Sequence, residues 1–295
     1  MIKPLALGNR IFPVNLIQGP LAGYTCAPLR FLNWKYGQLA FSCTEMLSCK
    51  ALIHKQKKMY QRYVEKHPAE GPVCFQLFGD NPHDLAEATK IATDYGADLI
   101  DLNCGCPVRK VRRQGAGSSL LSDPVKIYQM ITAMKQNTHL PVSIKIRVEG
   151  TTQEKSNAPI AQAVNDAGAD FLVVHGRSWK DNYATPCRYD QINFFVETVK
   201  VPVIGNGDVR DVVSLKKMFA TGCAGVMIAR AGIGQPWLTK KLIAEMRNED
   251  FALPATSEIE AIFAEHIALL SQLFGNEKHA ELHARKLVKY YRITK

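Results

Sequence analysis

The chain has 295 residues, of which 46% are hydrophobic and 22% charged, and its formal net charge is +10 with a pI near 9.2. These values fit a globular protein with a substantial core, and the positive charge is compatible with a polyanionic partner. No apolar run reaches the roughly 18 residues of a membrane span, and the first residues lack the apolar segment of a signal peptide. We therefore expect a cytoplasmic protein that does not associate with membranes.

Short apolar runs alternate with helix-like segments along most of the chain, and each run predicts a strand. Eight strands are expected, at 14–19, 39–46, 72–78, 97–103, 141–148, 170–175, 201–206 and 224–229. Helices are predicted at 82–95, 124–135, 158–167, 189–199 and 212–220. Alternating strands and helices indicate parallel pairing, and eight such units predict an α/β fold, a (β/α)8 TIM barrel of roughly 250 residues.

Helix boundaries are indicated by capping residues. Asn81 and Asp123 each precede a proline at the start of a predicted helix, as N-caps do. Ser156 or Asn157 is expected to cap the helix 158–167, which ends before Gly168. The segment 50–66 is basic and is expected to form an irregular insert after the second strand.

The strand signal stops after Trp237, and 238–247 is predicted to be the last barrel helix. Residues 250–257 resemble a linker, and two further helices follow, the second over about 277–292. Its charges are mostly basic: Lys278, Arg285, Lys286, Lys289, Arg292 and Lys295. We predict a catalytic barrel over 1–249 and a small all-helical appendage over 250–295, which either binds a polyanion or is a solvated packing element.

The carboxyl ends of barrel strands build the active site, so polar residues there are candidate site residues. These ends carry Pro20, Leu21, Ala22, Glu45, Gln76, Asn103, Lys145, Arg147, His175, Arg177, Asn206, Gly207, Asp208, Ala229 and Arg230. Lys145 lies between two isoleucines and points opposite to both, which is costly for a buried lysine unless it is paired or functional. It either closes the barrel through an ion pair or takes part in chemistry.

Glycine-rich turns follow strands seven and eight, at 205–208 (GNGD) and 229–236 (ARAGIGQP). Barrels often bind phosphate at these two positions. A phosphate site together with one interior lysine favours either a flavin or Schiff-base chemistry.

The segment 98–121 combines a polar strand end with a thiol on a turn. Cys106 lies between Gly105 and Pro107, and the basic residues that follow are Arg109, Lys110, Arg112 and Arg113. The alternative is a solvated loop with an incidental cysteine. The eight cysteines form no CxxC pair and are expected to be reduced, and no metal site is expected, because no cluster completes Cys104-Gly-Cys106.

The chain resembles the dihydrouridine synthase family, flavin enzymes that reduce uridines in tRNA. The resemblance covers about 10 to 240 and rests on GPLAGYT (19–25), VCFQLFG (73–79), DLNCGCPVRKV (101–111), GAGSSLL (115–121), SIKIR (143–147), VVHGR (173–177), PVIGNGDV (202–209) and MIARA (227–231). The chain departs from the family pattern at Cys26, Gly19 and Ala229, where aspartate, alanine and glycine are common, and its helical appendage is short.

The resemblance implies bound, non-covalent FMN that NADPH or NADH reduces, and tRNA as the substrate. We further expect the protein to be a monomer. The implied FMN contacts are Pro20, Leu21, Ala22, Gln76, Lys145, His175, Asn206, Gly207, Asp208, Ala229 and Arg230. Cys106 is the implied catalytic acid and Asn103 the residue that holds the target uracil. Further substrate contacts are expected at Arg147, Arg177, Tyr183, Arg109, Lys110, Arg112 and Arg113.

Three other functions stay open at this point. A flavin barrel acting on a small molecule, similar to dihydroorotate dehydrogenase, explains the cofactor residues but not the positive charge. A Schiff-base aldolase would use Lys145 and carry no flavin. A non-catalytic RNA-binding barrel would need neither Lys145 nor Cys106.

Overall fold

The computed structural model describes residues 1–56, 59–149 and 157–291. Its strands are β1 (Leu5–Leu7), β2 (Arg10–Phe12), β3 (Leu16–Gln18), β4 (Ser42–Cys43), β5 (Leu47–Ser48), β6 (Val73–Phe78), β7 (Leu99–Cys104), β8 (Val142–Arg147), β9 (Phe171–His175), β10 (Val203–Asn206) and β11 (Gly225–Ile228).

The helices are α1 (Ala27–Tyr36), α2 (Cys49–His54), α3 (Gln61–Val64), α4 (Pro82–Asp94), α5 (Arg109–Arg112), α6 (Pro124–Lys135), α7 (Ala158–Asp166), α8 (Tyr189–Thr198), α9 (Val212–Phe219), α10 (Leu238–Arg247), α11 (Thr256–Phe274), α12 (Glu277–Arg285) and α13 (Val288–Tyr291). Asn81 and Asp123 cap α4 and α6 as predicted. Asn157 precedes α7 without capping it, since its side chain bonds Glu149 and Gln191 instead, and Ser156 lies outside the described residues.

The sheet β3–β11 closes into a parallel barrel. Strand β11 pairs with β3, and β4 pairs with both β3 and β6, so that first and last strands meet. Strands β4 and β5 both pair with β6 and together occupy one strand position, so the barrel has eight strand positions. The predicted fold, a TIM barrel followed by C-terminal helices, is confirmed.

Strand β7 illustrates how the sequence separates the two faces of the barrel wall. Ile100, Leu102 and Cys104 pack against the surrounding helices, whereas Asp101 and Asn103 alternate with them and point inward. The register sets Asn103 beside Lys145 of β8. Polar side chains of neighbouring strands therefore meet inside the barrel near its carboxyl end.

Two predictions around the second strand were wrong. The run 39–46 is not one strand, because the chain leaves the sheet after Cys43 and returns only at Leu47. The segment 50–66 is not an irregular insert, because it contains α3 and most of α2, although 57–58 lie outside the described residues. Ser48 caps α2 by accepting a hydrogen bond from the Ala51 N–H.

A hairpin that the sequence reading missed covers the amino end of the barrel. Strands β1 and β2 pair around a turn that begins at Gly8, whose φ of 56° favours glycine. Leu5, Leu7 and Phe12 are buried against inward-facing barrel residues that include Phe41 and Phe171. The hairpin therefore forms a hydrophobic floor.

The C-terminal helices pack on α1 and on the segment after β11. The helix predicted over 277–292 is two helices, since α12 ends at Arg285 and α13 begins at Val288. A buried cluster joins barrel and appendage: Cys26, Leu29, Ile233, Trp237, Ile262, Leu270, Ala280, Leu287 and Tyr291. Within the described ranges, no helix combines the length and the apolar character needed to cross a bilayer.

Candidate active site

A cavity of about 700 Å³ opens at the carboxyl ends of the barrel strands. The predicted site residues that line it are Pro20, Leu21, Ala22, Gln76, Asn103, Cys106, Lys145, Arg147, His175, Arg177, Tyr183, Asn206, Gly207, Asp208, Ala229 and Arg230. The basic residues Arg109, Lys110, Arg112 and Arg113 are not part of its lining. Strand ends far apart in sequence thus converge on one space.

Hydrogen bonds at the end of β7 fix the loop that carries Cys106. Asn103 Oδ1 accepts from the N–H groups of Cys106 at 2.9 Å and Gly105 at 3.2 Å. Its Nδ2 donates to Gln76 Oε1 at 2.8 Å. The Asn103 side chain therefore ties two strands and the thiol loop together at the cavity wall.

Cys106 is the one cysteine of the eight that is partly exposed, and all eight lie in the described part of the chain. Burial raises the pKa of its thiol, an effect that the Val108 backbone and the nearby Arg147 charge oppose. The group is therefore protonated at neutral pH and is able to give up a proton. Cys104, two positions earlier, is fully buried on the other face of the strand.

The small residues of 115–119 pack beneath the thiol loop. Ser118 donates its N–H to the Cys106 carbonyl at 3.0 Å. Gly117 has a φ of 62°, and a Cβ there would lie 2.8 Å from the same carbonyl oxygen. Glycine at position 117 therefore lets this segment approach the backbone of the Cys106 loop, a contact that the sequence alone did not specify.

Lys145 projects from β8 into the cavity. Its Nζ donates to Asn206 Oδ1 at 2.9 Å, and Asn206 Nδ2 donates to the Met227 carbonyl at 2.8 Å. Burial, reinforced by Arg147, lowers the pKa of Lys145 to about 8. Lys145 is thus a positive group at neutral pH that bonds an amide rather than closing the barrel through an ion pair.

His175 is held neutral beside several cations. Burial first, and then the charge of Lys145, lower its pKa well below the usual value. Arg177 is almost completely buried, and its Nη2 donates to both carboxylate oxygens of Asp208 at 2.6 and 2.7 Å. Both oxygens of the Asp208 carboxylate thus accept hydrogen bonds from Arg177. The backbone of Asp208 is left-handed, with a φ of 55°.

The outer part of the cavity has two further arginines. Arg147 is buried and its Nη1 donates to the Ser178 carbonyl at 2.8 Å. The Arg230 guanidinium stacks 3.8 Å from the ring centre of the exposed Tyr183. This stacked pair presents a cationic, planar surface at the mouth.

The basic segment after Cys106 forms the short helix α5 instead of an open loop. Arg109, Lys110 and Arg113 are exposed, whereas Arg112 stacks over Trp179 at 3.4 Å from the ring centre. Three of the four cations are therefore free to meet a polyanion near the mouth, and the fourth is held against an aromatic ring.

Sequence reasoning missed two methionines that line the cavity and one aspartate that lies buried beneath its lining. Met46 and Met227 line the cavity, and Asp101 lies buried below Gln76. Met227 also accounts for Gly19, where the family pattern has alanine, because a Cβ there would lie 2.8 Å from its Cγ and Sδ atoms. The alternation in DLN (101–103) sets Asp101 on the same face of the strand as Asn103, and this pattern could have identified Asp101 from the sequence.

In the described part of the chain, no three His, Cys, Asp or Glu side chains come together as metal ligands would. The groups of the cavity that can take part in acid–base chemistry include the thiol of Cys106 and the ammonium of Lys145.

Comparison with known proteins identifies relatives over nearly the whole chain. The family model described as dihydrouridine synthase matches residues 17–295. The chain is 33% identical to tRNA-dihydrouridine synthase B of Vibrio parahaemolyticus, over 97% of this chain and 89% of that protein. It is 32% identical to tRNA-dihydrouridine synthase B of Pseudomonas putida, covering 100% and 87%. It is 31% identical to probable tRNA-dihydrouridine synthase 1 of Synechocystis sp., covering 98% and 81%.

Solved structures with a similar fold are more distant in sequence. Histamine dehydrogenase from Rhizobium sp. 4-9 superposes with a TM-score of 0.63 at 17% identity, over 88% of this chain and 48% of that one. Morphinone reductase superposes with a TM-score of 0.60 at 13% identity, over 87% and 91%. These likenesses concern the barrel fold alone.

Proposed function

The chain belongs to the dihydrouridine synthase family, and from this premise we propose that it reduces the C5–C6 double bond of uridines in tRNA. The observation that carries the proposal is the shared cavity of Cys106 and Lys145, a protonated thiol and a buried cation at neighbouring strand ends. Family membership favours this reaction over the aldolase, the small-molecule dehydrogenase and the non-catalytic barrel.

The volume of the cavity and the chemistry of its lining support FMN as the proposed cofactor. Among the described residues, the lining contains five cationic side chains, Lys145, Arg147, Arg177, Arg210 and Arg230, against one carboxylate, Asp208, which Arg177 already pairs. Such a surplus favours a phosphorylated ligand. The residues proposed to hold FMN are Pro20, Leu21, Ala22, Gln76, Lys145, His175, Asn206, Gly207, Asp208, Ala229 and Arg230.

Cys106 is proposed to supply the proton of the reaction. Reduced FMN, held by the residues named above, would supply the hydride that C6 of the uracil takes up. The Sγ–H of Cys106 gives its proton to C5, so the two hydrogens of dihydrouridine are accounted for and the thiolate is reprotonated from solvent. The raised pKa of Cys106 keeps the proton in place until transfer.

Amide and cationic side chains around the thiol are proposed to orient the base. Asn103 has a second Nδ2 hydrogen that the bond to Gln76 does not use, and it is available to a uracil carbonyl. Lys145 would stabilise negative charge on the flavin ring. Arg147, Arg177 and Tyr183 complete the proposed substrate side of the cavity.

The tRNA backbone is proposed to bind around the mouth and on the appendage, residues 250–295. Arg109, Lys110 and Arg113 are exposed near the mouth, with Arg112 against Trp179. On the appendage Lys278, Arg285 and Lys289 are exposed, whereas Lys286 points to the barrel, and Arg292 and Lys295 lie outside the described residues. The target nucleotide must leave its stack to enter the barrel.

The remaining parts of the proposed function are the reductant, the oligomeric state and the location of the protein. NADPH or NADH is proposed to reduce the bound FMN, and the protein is proposed to act as a cytoplasmic monomer with a barrel domain at 1–249. The reductant is identified by comparing NADPH and NADH in flavin bleaching under anaerobic conditions.

The deciding experiment incubates the purified protein with FMN, NADPH and tRNA transcribed without modifications. We expect uridines to gain two mass units in nucleoside digests. A flavin-loaded, folded protein that leaves every uridine of a complete tRNA mixture unreduced would contradict the proposal.

A further inference from the structure

Asp101 is a buried carboxylate for which the proposed chemistry has no use. It sits one pleat below Asn103 on β7, and only 3% of its surface is exposed. Burial raises the pKa of Asp101 to about 6, against the hydrogen bonds of Ser143 and Gln76 and the charge of Lys145. Burying a carboxylate costs free energy unless hydrogen bonds or an opposite charge compensate it, so the partners of Asp101 need an explanation.

A series of hydrogen bonds links the Cys106 loop to Asp101, and each bond is donated toward the carboxylate. Gln76 Nε2 donates to Asp101 Oδ2 at 2.7 Å, and Asn103 Nδ2 donates to Gln76 Oε1 at 2.8 Å. Asn103 Oδ1 then accepts from the Cys106 N–H at 2.9 Å. The series therefore connects the buried carboxylate to the backbone of the thiol loop.

The order of donors and acceptors in this series follows from the negative charge of the Asp101 carboxylate. An ionised carboxylate only accepts, so it selects the amino end of Gln76, and that choice leaves the Gln76 oxygen for Asn103. Asn103 must then turn its own oxygen toward the loop. The opposite order would set an amino group against the N–H groups of Gly105 and Cys106.

We propose that Asp101 is a positioning residue, which through Gln76 and Asn103 fixes the loop of Cys106 and the donor that Asn103 offers to the substrate. The side chain touches neither the cavity nor the thiol. Its role is to give two amides, which are nearly symmetrical in shape, one orientation each. The inference deepens the proposed function, since it concerns the residue that we propose as the acid.

The test measures how fast iodoacetamide alkylates Cys106, with the modified peptide followed by mass spectrometry and excess FMN present throughout. In Asp101→Ala, water that fills the space can accept or donate, so the amides lose their fixed order. We expect Cys106 alkylation about five- to tenfold faster, the scale of losing one or two hydrogen bonds. Asp101→Asn should restore the wild-type rate, because its oxygen serves Gln76 while its amino group donates to the Ser143 hydroxyl.

Ser143→Ala is the matched control. It removes the 2.6 Å hydrogen bond of the Ser143 hydroxyl to Asp101 Oδ1 but leaves the Gln76 bond intact. Its Cys106 alkylation rate should stay near that of the wild type, although the protein loses a buried hydrogen bond. A rate that rises as much as in Asp101→Ala would overturn the proposal, because general loosening of the barrel would then explain both.

A second variant covers the case in which Asp101→Ala does not fold. Gln76→Met keeps the side-chain length but interrupts the series one link higher, and we expect the same acceleration at Cys106. An unchanged rate in either folded variant overturns the positioning role. The thiol measurement needs no turnover, so its failure is distinguishable from a failure to reduce uridine.

Discussion

Lys286 donates a hydrogen bond to the carbonyl of Gly23, 263 positions earlier in the chain. Glu45 accepts from the N–H of the same glycine, so the peptide groups on both sides of Gly23 are held. Gly23 directly follows Pro20–Ala22, which line the cavity. The connection between the last two helices is therefore bonded to a wall of the candidate active site.

Replacing Lys286 by methionine should weaken FMN binding. The variant removes a charge-assisted bond of a half-buried ammonium, and we expect the FMN dissociation constant to rise about three- to tenfold. Fluorescence titration of the flavin-stripped protein measures this. Lys289→Met is the control, since Lys289 is exposed and lies over the Tyr290 ring. Equal affinity in both variants would show that the Gly23 loop does not depend on the appendage.

Cys106→Ala and Cys104→Ala should separate catalysis from packing. Removing the Cys106 thiol should leave FMN reduction intact and slow uridine reduction by about 10²- to 10⁴-fold, the usual cost of losing a general acid. Cys104 is fully buried among the helices, so its loss should cost about 1 kcal/mol of stability and little turnover. Single-turnover oxidation of reduced flavin by tRNA measures both. A slow Cys104→Ala and a normal Cys106→Ala would reverse the assignment.

His266 should make the appendage sensitive to acid. Burial, together with the charge of His283, lowers the pKa of His266 to about 3, and its ring bonds only the Tyr291 hydroxyl among the described residues. In the unfolded chain His266 is protonated below its ordinary pKa of about 6.5, whereas in the folded protein it stays neutral down to about pH 3. The free energy of unfolding therefore falls as the pH drops from about 6.5 toward 3. The loss is on the order of a few kcal/mol.

Urea unfolding between pH 7.5 and 4.5 measures this dependence. His266→Leu should be less stable at pH 7.5, because it loses the Tyr291 bond, but its stability should change less with pH. His83→Ala removes a histidine with an 84% exposed side chain and should keep the wild-type slope. If His266→Leu keeps that slope as well, the acid sensitivity comes from another group.

The exposed cations of α5 should determine part of the salt dependence of tRNA binding. Each released counterion contributes about 0.7 to 0.9 to the slope of log K against log salt. Neutralising Arg109, Lys110 and Arg113 together should therefore lower the slope by about 2 to 3. Arg112→Ala should lower the slope less and also free Trp179. A triple variant with an unchanged slope would show that α5 faces away from the tRNA.

The sequence predicted the barrel and the lining of its cavity because both follow from local periodicity. Parallel strands bring their carboxyl ends together, so a polar residue at each end, such as Gln76 or Asn206, was enough to locate the cavity. In β7 the alternation of side chains likewise sets Asn103 toward the cavity and Cys104 on the opposite, buried face.

Features that depend on distant contacts could not be predicted in the same way. The second strand is interrupted where Glu45 bonds the Gly23 loop, and the last helix is interrupted where Lys286 reaches the same loop. Neither interruption has a glycine or proline at its position in the sequence. The direction of the hydrogen bonds above Asp101 also required the distances between β6, β7 and β8.

The hairpin β1–β2 has a consequence for the order of events at the flavin. Since Leu5, Leu7 and Phe12 fill the amino end of the barrel, the proposed nicotinamide coenzyme and the tRNA would both have to enter at the carboxyl end. A nucleotide bound there would block the second substrate, so we expect the oxidised coenzyme to leave before the RNA enters. Initial-rate plots at several concentrations of each substrate should consist of parallel lines, and each substrate in excess should inhibit competitively against the other.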